Sequence, residues 1–309
     1  MADDKSLANP LDAPVALSDL KVNPLDAPAG TPNAAASPVA RSLGRSGKAY
    51  LNADFLKSPD ARMIRMLAEY LEPQRRFARQ KVADTILFFG SARIVSREQA
   101  QAELAAAKAG IGDVRAVEKK IELARYYEAT RELARRLTDW SKGLKGGGRR
   151  LVVCSGGGPG IMEAANRGAS EAKGQNIGLC ISLPFEQAEN PYITHSLAFD
   201  FHYFFMRKFW FLYLAKALVI MPGGFGTMDE LFEVLTLLQT RKTKKHMPIV
   251  LFGPAYWDKV MNLDAMVEFG TIDKADLDLF FKTESVDDAF DYIVNDLTTY
   301  ALARPGGEI

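Results

Sequence analysis

From about residue 50 the chain alternates short apolar runs with stretches whose apolar residues recur at helical spacing. Met63, Ile64, Met66, Leu67, Tyr70 and Leu71 mark a first helix. A strand is expected over 85–89, ending in Gly90-Ser91. Helices are expected over 97–109 and 114–142, the second with Ile121, Ala124, Tyr127, Leu133 and Leu137 on its core face. Gly-Gly-Gly at 146–148 ends that stretch. Strands then fall at 151–154, 176–181, 197–201, 217–221 and 248–252, and helices at 159–173, 207–216, 227–241 and 255–269. A short apolar segment near 279–281 and a helix at 286–300 close the pattern. Buried strands alternating with helices imply an α/β protein: a doubly wound parallel sheet with helices on both faces.

The first 45 residues do not share this pattern. They are rich in Ala, Pro, Asp and Ser and lack aromatic residues, and Asn-Pro-Leu-Asp-Ala-Pro occurs at both 9–14 and 23–28. Two copies do not make a solenoid, so 1–45 reads as a disordered tail with a local duplication. Residues 46–83 form an N-terminal helical extension and 84–300 the main domain, with a helical insertion at about 97–120. Residues 301–309 are a short tail.

Composition narrows the function. A net charge of +1 argues against a dedicated nucleic-acid or membrane surface. The two cysteines, Cys154 and Cys180, sit in expected strands without metal-ligand spacing and read as core thiols of a reducing compartment. No apolar run reaches the roughly 18 residues of a membrane span, and no secretory signal opens the chain. The expected location is the cytoplasm. His195, His202 and His246 are isolated, so no metal is expected.

Ligands of parallel sheets bind at the carboxyl ends of the strands, and three glycine turns fall there: Gly90-Ser91, 156–160 and 223–226. The third reads Pro-Gly-Gly-Phe-Gly-Thr-Met-Asp-Glu over 222–230. Gly223, Gly224 and Gly226 let the backbone approach a ligand, and the N–H groups opening the next helix suit a phosphate. Thr227 offers a hydroxyl there, and Glu230 places a carboxylate one turn into the helix. The second turn, with Gly156, Gly157, Gly158 and Gly160, precedes Ile161-Met162-Glu163. It keeps neither the dinucleotide spacing nor a P-loop Lys-Ser/Thr. Arg207-Lys208 opens an otherwise apolar helix, where positive charge opposes the macrodipole and calls for an anionic partner. Asp229 and Glu233 read as acids that stabilise a helix start, and the run from Arg241 to His246 as cations at a helix end.

These motifs resemble the Lonely Guy (LOG) family of nucleoside 5′-monophosphate phosphoribohydrolases, long mislabelled as lysine decarboxylases. Arg207-Lys208 followed by the run from Pro222 to Glu230 matches the family's hallmark pair at its spacing. Gly156 to Met162 resembles its first phosphate turn, and Phe-Gly-Ser-Ala-Arg at 89–93 its first strand end. Phe204-Phe205-Met206 stands where small plant-type members have Met-His-x. Glu186 to Tyr192 is similar to a longer bacterial subgroup.

The resemblance implies a Rossmann-like fold and hydrolysis of an AMP-like nucleotide or cytokinin riboside monophosphate to free base and ribose 5-phosphate. It implies no cofactor and a homodimer or higher oligomer. Arg207 and Glu230 would be catalytic. Gly90, Ser91, Gly156, Gly157, Gly158, Gly160, Lys208, Gly223, Gly224, Gly226, Thr227 and Thr236 would hold the nucleotide, with Glu186 and Asn190 facing base or sugar. The competing class is a non-catalytic carrier of a nucleotide or phosphorylated cofactor on the same fold. Such a carrier need not keep both Arg207 and Glu230. Lysine decarboxylation would need a cofactor-bound lysine with a partner acid, and none is identifiable.

Overall fold

The computed structural model describes residues 47–144, 150–183, 189–303 and 305–306. The duplicated motif and Glu186 lie outside them. The chain divides into two units after Arg65. In the first, α1 (Ala53–Lys57) starts where the Asn52 side chain accepts the N–H of Phe55 at 3.1 Å. Arg65 donates to the carbonyls of Leu56 and Ser58.

The second unit is a Rossmann-like α/β domain. After α2 (Arg62–Gln80), it runs β1 (Thr85–Phe89), α3 (Arg97–Lys108), α4 (Val114–Lys142), β2 (Val152–Ser155), α5 (Ile161–Glu171) and β3 (Asn176–Ile181). It continues through β4 (Ala198–Phe201), α6 (Phe204–Leu214), β5 (Ala215–Ile220) and α7 (Phe225–Gln239). Last come β6 (Ile249–Phe252), α8 (Pro254–Val260), α9 (Leu263–Glu268), β7 (Phe281–Thr283) and α10 (Val286–Tyr300). Seven strands form one sheet in the order β4-β3-β2-β1-β5-β6-β7, all parallel.

Side chains alternate across that sheet, so each strand feeds two cores. Leu87, Phe89, Leu218, Ile220 and Leu251 pack on one face against Phe77, Trp210, Phe211, Leu231 and Trp257. Ile86, Phe88, Val153, Val219 and Val250 pack on the other against Tyr127, Leu133, Ala165 and Ile293. The helices α6 and α7 therefore cover one face, and α4, α5 and α10 the other. At the far end of the strands Asp84, fully buried, pairs with Arg150, whose guanidinium also donates to the carbonyls of Ala301 and Leu302.

Three sequence expectations shift. The helix expected over 207–216 begins at Phe204 and stops at Leu214, and β5 starts at Ala215. Lys216 is a buried strand residue at an irregularity, since Thr85 aligns with Ala215 and Ile86 with Ala217. The helix expected over 255–269 is two helices, because the Asn262 side chain caps the second by accepting the N–H of Ala265 at 3.0 Å. The apolar segment near 279–281 leads into an edge strand, β7. Among the described residues no helix is long and apolar enough to cross a membrane, and no group of His, Cys, Asp or Glu could hold a metal ion.

Candidate active site

Strand order reverses between β1 and β5, and the connections leaving these two neighbours go to opposite faces of the sheet. A crevice must open at their carboxyl ends. Its floor is laced by backbone hydrogen bonds between the three glycine turns. Met221 N–H donates to Phe89 O at 2.8 Å, Ser91 N–H to Pro222 O at 3.0 Å, and Ile161 N–H to Ser91 O at 3.1 Å. This contact is so close that only glycine fits at 160. Its φ is +70°, and a Cβ there would lie 2.5 Å from Ser91 O.

Above this floor is a cavity of about 590 Å³, within the usual range for small-molecule sites. Gly90, Ser91, Gly156, Gly157, Gly158, Gly224, Gly226, Thr227, Arg207 and Glu230 all line it. The structure thus brings together most of the expected site residues. Gly160 and Gly223 shape the turns beneath: Gly223 O accepts the Tyr256 hydroxyl at 2.7 Å. Both α5 and α7 begin at these turns without a side-chain cap, leaving first-turn N–H groups available to an anion.

Glu230 is 4% exposed, and its Oε2 is buried without a hydrogen-bond partner. Burial pushes its pKa up to about 7, against the pull of nearby Lys208 and Arg207. Arg207 is held over the rings of Phe204 and Phe211, at 5.0 and 5.5 Å. Its Nε is likewise buried and unpartnered. Burial lowers the Arg207 pKa, and the charge of Glu230 opposes that fall. An arginine nevertheless stays protonated. Two buried, incompletely satisfied polar groups of opposite charge on one cavity wall are costly unless something else completes them.

Three further expected contacts, besides Gly160 and Gly223, fall outside the cavity lining. Lys208 turns to α7, where its Nζ meets Asp229 at 2.8 Å and Glu233 at 2.9 Å. Burial opposes its charge, but these two bonds outweigh that and raise its pKa. It fastens α6 to α7 behind Arg207 and Glu230. Thr236 is about three turns down α7, exposed, with its hydroxyl bonded to Phe232 O at 2.7 Å. Asn190 is buried, and its amide donates to Gly157 O at 3.0 Å, Gly158 O at 3.1 Å and Asn166 Oδ1 at 2.9 Å. It props the second glycine turn from behind.

The lining also includes residues that sequence reasoning passed over as ligand contacts: Arg93, Met162, Cys180, Glu189, Phe204 and Phe225. Exposed aromatic residues next to a glycine turn, as in Gly224-Phe225-Gly226, were the available signal. The Cys180 thiol is pushed up to about 12 by burial and is inert as a nucleophile.

Residues 162–293, which carry both Arg207-Lys208 and the third glycine turn, match the family model described as "Possible lysine decarboxylase". Over these residues the chain resembles that family. Among curated relatives, the chain is 32% identical over 116 residues to the pyrimidine/purine nucleotide 5′-monophosphate nucleosidase of Escherichia coli (strain K12). The match covers 34% of the chain and 25% of the relative, so the chain spans only about a quarter of that protein's length. Solved structures with a similar trace include the molybdenum cofactor binding protein of Rippkaea orientalis, at 18% identity and TM-score 0.38. The match covers 55% of this chain and 86% of that one. The Moco carrier protein of Chlamydomonas reinhardtii is 18% identical at TM-score 0.41, covering 70% and 99%.

Proposed function

We propose that the protein hydrolyses the N-glycosidic bond of a nucleoside 5′-monophosphate, releasing the free base and ribose 5-phosphate. The observation that carries this reading is Glu230: a buried carboxyl with an unpartnered oxygen, facing a cavity floored by phosphate-sized glycine turns. The nucleosidase name of the Escherichia coli relative supports the same reaction class.

In this reading the 5′-phosphate sits at the N-termini of α5 and α7, on the N–H groups of Gly156, Gly158 and 224–227, with the Thr227 hydroxyl beside it. That leaves the anomeric carbon near Glu230 and Arg207. Bond cleavage builds positive charge on the sugar, as in glycoside hydrolysis. The Glu230 carboxylate stabilises that charge and accepts a proton from the attacking water. The water oxygen bonds to the anomeric carbon, the carbon–nitrogen bond breaks, and the proton passes to the departing base. A group titrating near neutrality suits such a relay. Arg207 stays charged throughout and orients Glu230 or the ribose. AMP-like nucleotides, including N6-substituted ones of the cytokinin type, are the substrate class.

Incubation with AMP, CMP, GMP, UMP and N6-isopentenyl-AMP should release base and ribose 5-phosphate from at least one. Glu230→Gln should keep nucleotide binding and lose turnover by more than about 100-fold, the scale of a catalytic proton-transfer group. Normal turnover in that variant would sink the assignment. Clear nucleotide binding with no release by the unaltered protein would favour a carrier.

A further inference from the structure

Two exposed aromatic residues stand at the mouth of this cavity. Phe225, the first residue of α7, is 93% exposed, and Phe204, the first residue of α6, is 50% exposed. Both line the cavity. A phenyl ring at a helix N-terminus gains nothing from the macrodipole, and Phe225, so exposed, gains almost nothing from the core. In each helix the charged group lies further in: Arg207 one turn beyond Phe204, and Glu230 five residues beyond Phe225. The two helices repeat one arrangement, with a ring outside and a charge inside.

We propose that this aromatic rim, and Phe225 foremost, is the nucleobase subsite, on which the base stacks by its face. The proposal rests on the nucleotide reading above. With the phosphate at the glycine floor and the anomeric carbon at Glu230 and Arg207, the base must project away from the floor, and the rim is what it meets. Ile181, Leu183 and Met228 extend that wall with further apolar surface. A stacking surface reads the π-face, which every base has, and not the hydrogen-bonding edge. The subsite therefore accepts purines and pyrimidines alike, and favours purines by their larger area.

The test uses the Glu230→Gln protein, so that ligand is not consumed, and titrates AMP, CMP and ribose 5-phosphate calorimetrically. Adding Phe225→Ala should weaken AMP and CMP by about tenfold each, within the range measured for single base–aromatic stacks, and leave ribose 5-phosphate unchanged. Phe225→Trp should restore both nucleotides. The ring is nearly fully exposed, so its removal leaves the core intact. AMP and CMP binding untouched by Phe225→Ala overturns the rim and leaves the hydrolase reading standing. Equal weakening of ribose 5-phosphate also overturns it, as does loss of a dimer in sedimentation with nucleotide affinity unchanged, which would make Phe225 a contact between copies. If AMP binds neither the Glu230→Gln protein nor the unaltered one, the nucleotide reading falls with it.

Discussion

At the scale of single residues, Glu230 decides most. Its carboxyl titrates near 7 in the folded chain against an ordinary 4.5, because burial penalises the carboxylate. Between those values the folded chain holds a proton that the unfolded chain has released. Stability from this group must therefore fall as pH rises from about 4.5 to about 7, and stay lowered above that. At about 1.4 kcal/mol per pKa unit the loss is on the order of 3 kcal/mol. Urea unfolding at pH 5 and pH 8 should show that decline, and Glu230→Gln should remove it. The same pH dependence in both proteins would mean that the site is better solvated than its burial implies. Glu230 was legible in the sequence because a carboxylate after Gly-Thr, with a distant Arg-Lys, is an uncommon conjunction. The role of Lys208 was not. Its choice of Asp229 and Glu233 over the cavity depends on how α6 packs on α7, which no local spacing reveals.

At the scale of elements, the second glycine turn is held by a buried polar ladder. Ser155 donates to Asn166 Oδ1 at 2.7 Å and accepts the Gly157 N–H at 3.1 Å. Asn166 donates to Asn176 Oδ1 at 2.9 Å, and Asn190 closes the set. Asn190→Ala would strand the carbonyl of Gly158, while Gly157 O keeps the backbone N–H of residue 190 at 2.9 Å; such an unmet buried acceptor costs about 1–3 kcal/mol. A lowered melting temperature together with a raised KM for nucleotide is the expected result. A change in neither would mean that the turn holds itself. The strands β1 and β3 were read from the sequence to the residue, because apolar runs bounded by turn residues have few alternatives. The α6–β5 junction was misplaced because Lys216 looks like a helix-ending cation, and only pairing with β1 makes it a strand residue. The break at Asn262 did carry a signal, an Asn-Leu-Asp start, but it lay inside a run that read as one helix.

At the scale of the molecule, the parallel order β4-β3-β2-β1-β5-β6-β7 was expected as a class but not as a permutation. Alternation of strand and helix fixes parallelism. Which strand neighbours which depends on long-range packing. The central pair, β1 with β5, joins Thr85 to Ala215 across most of the domain. Contacts so distant along the chain form late and all at once, because closing such loops costs entropy before it returns contacts. The laced floor inherits that property. Its hydrogen bonds unite Phe89, Ser91, Ile161, Met221 and Pro222, and no shorter stretch of the chain contains them all. In a urea titration, hydrolysis and far-UV ellipticity should vanish in one shared transition. Earlier loss of hydrolysis would mean that the turns loosen before the sheet does. On a ribosome, a growing chain could join the first two glycine turns through Ile161 and Ser91, but the floor would stay open until Pro222 arrived. The site would then exist only as an open floor or a finished one, with nothing between.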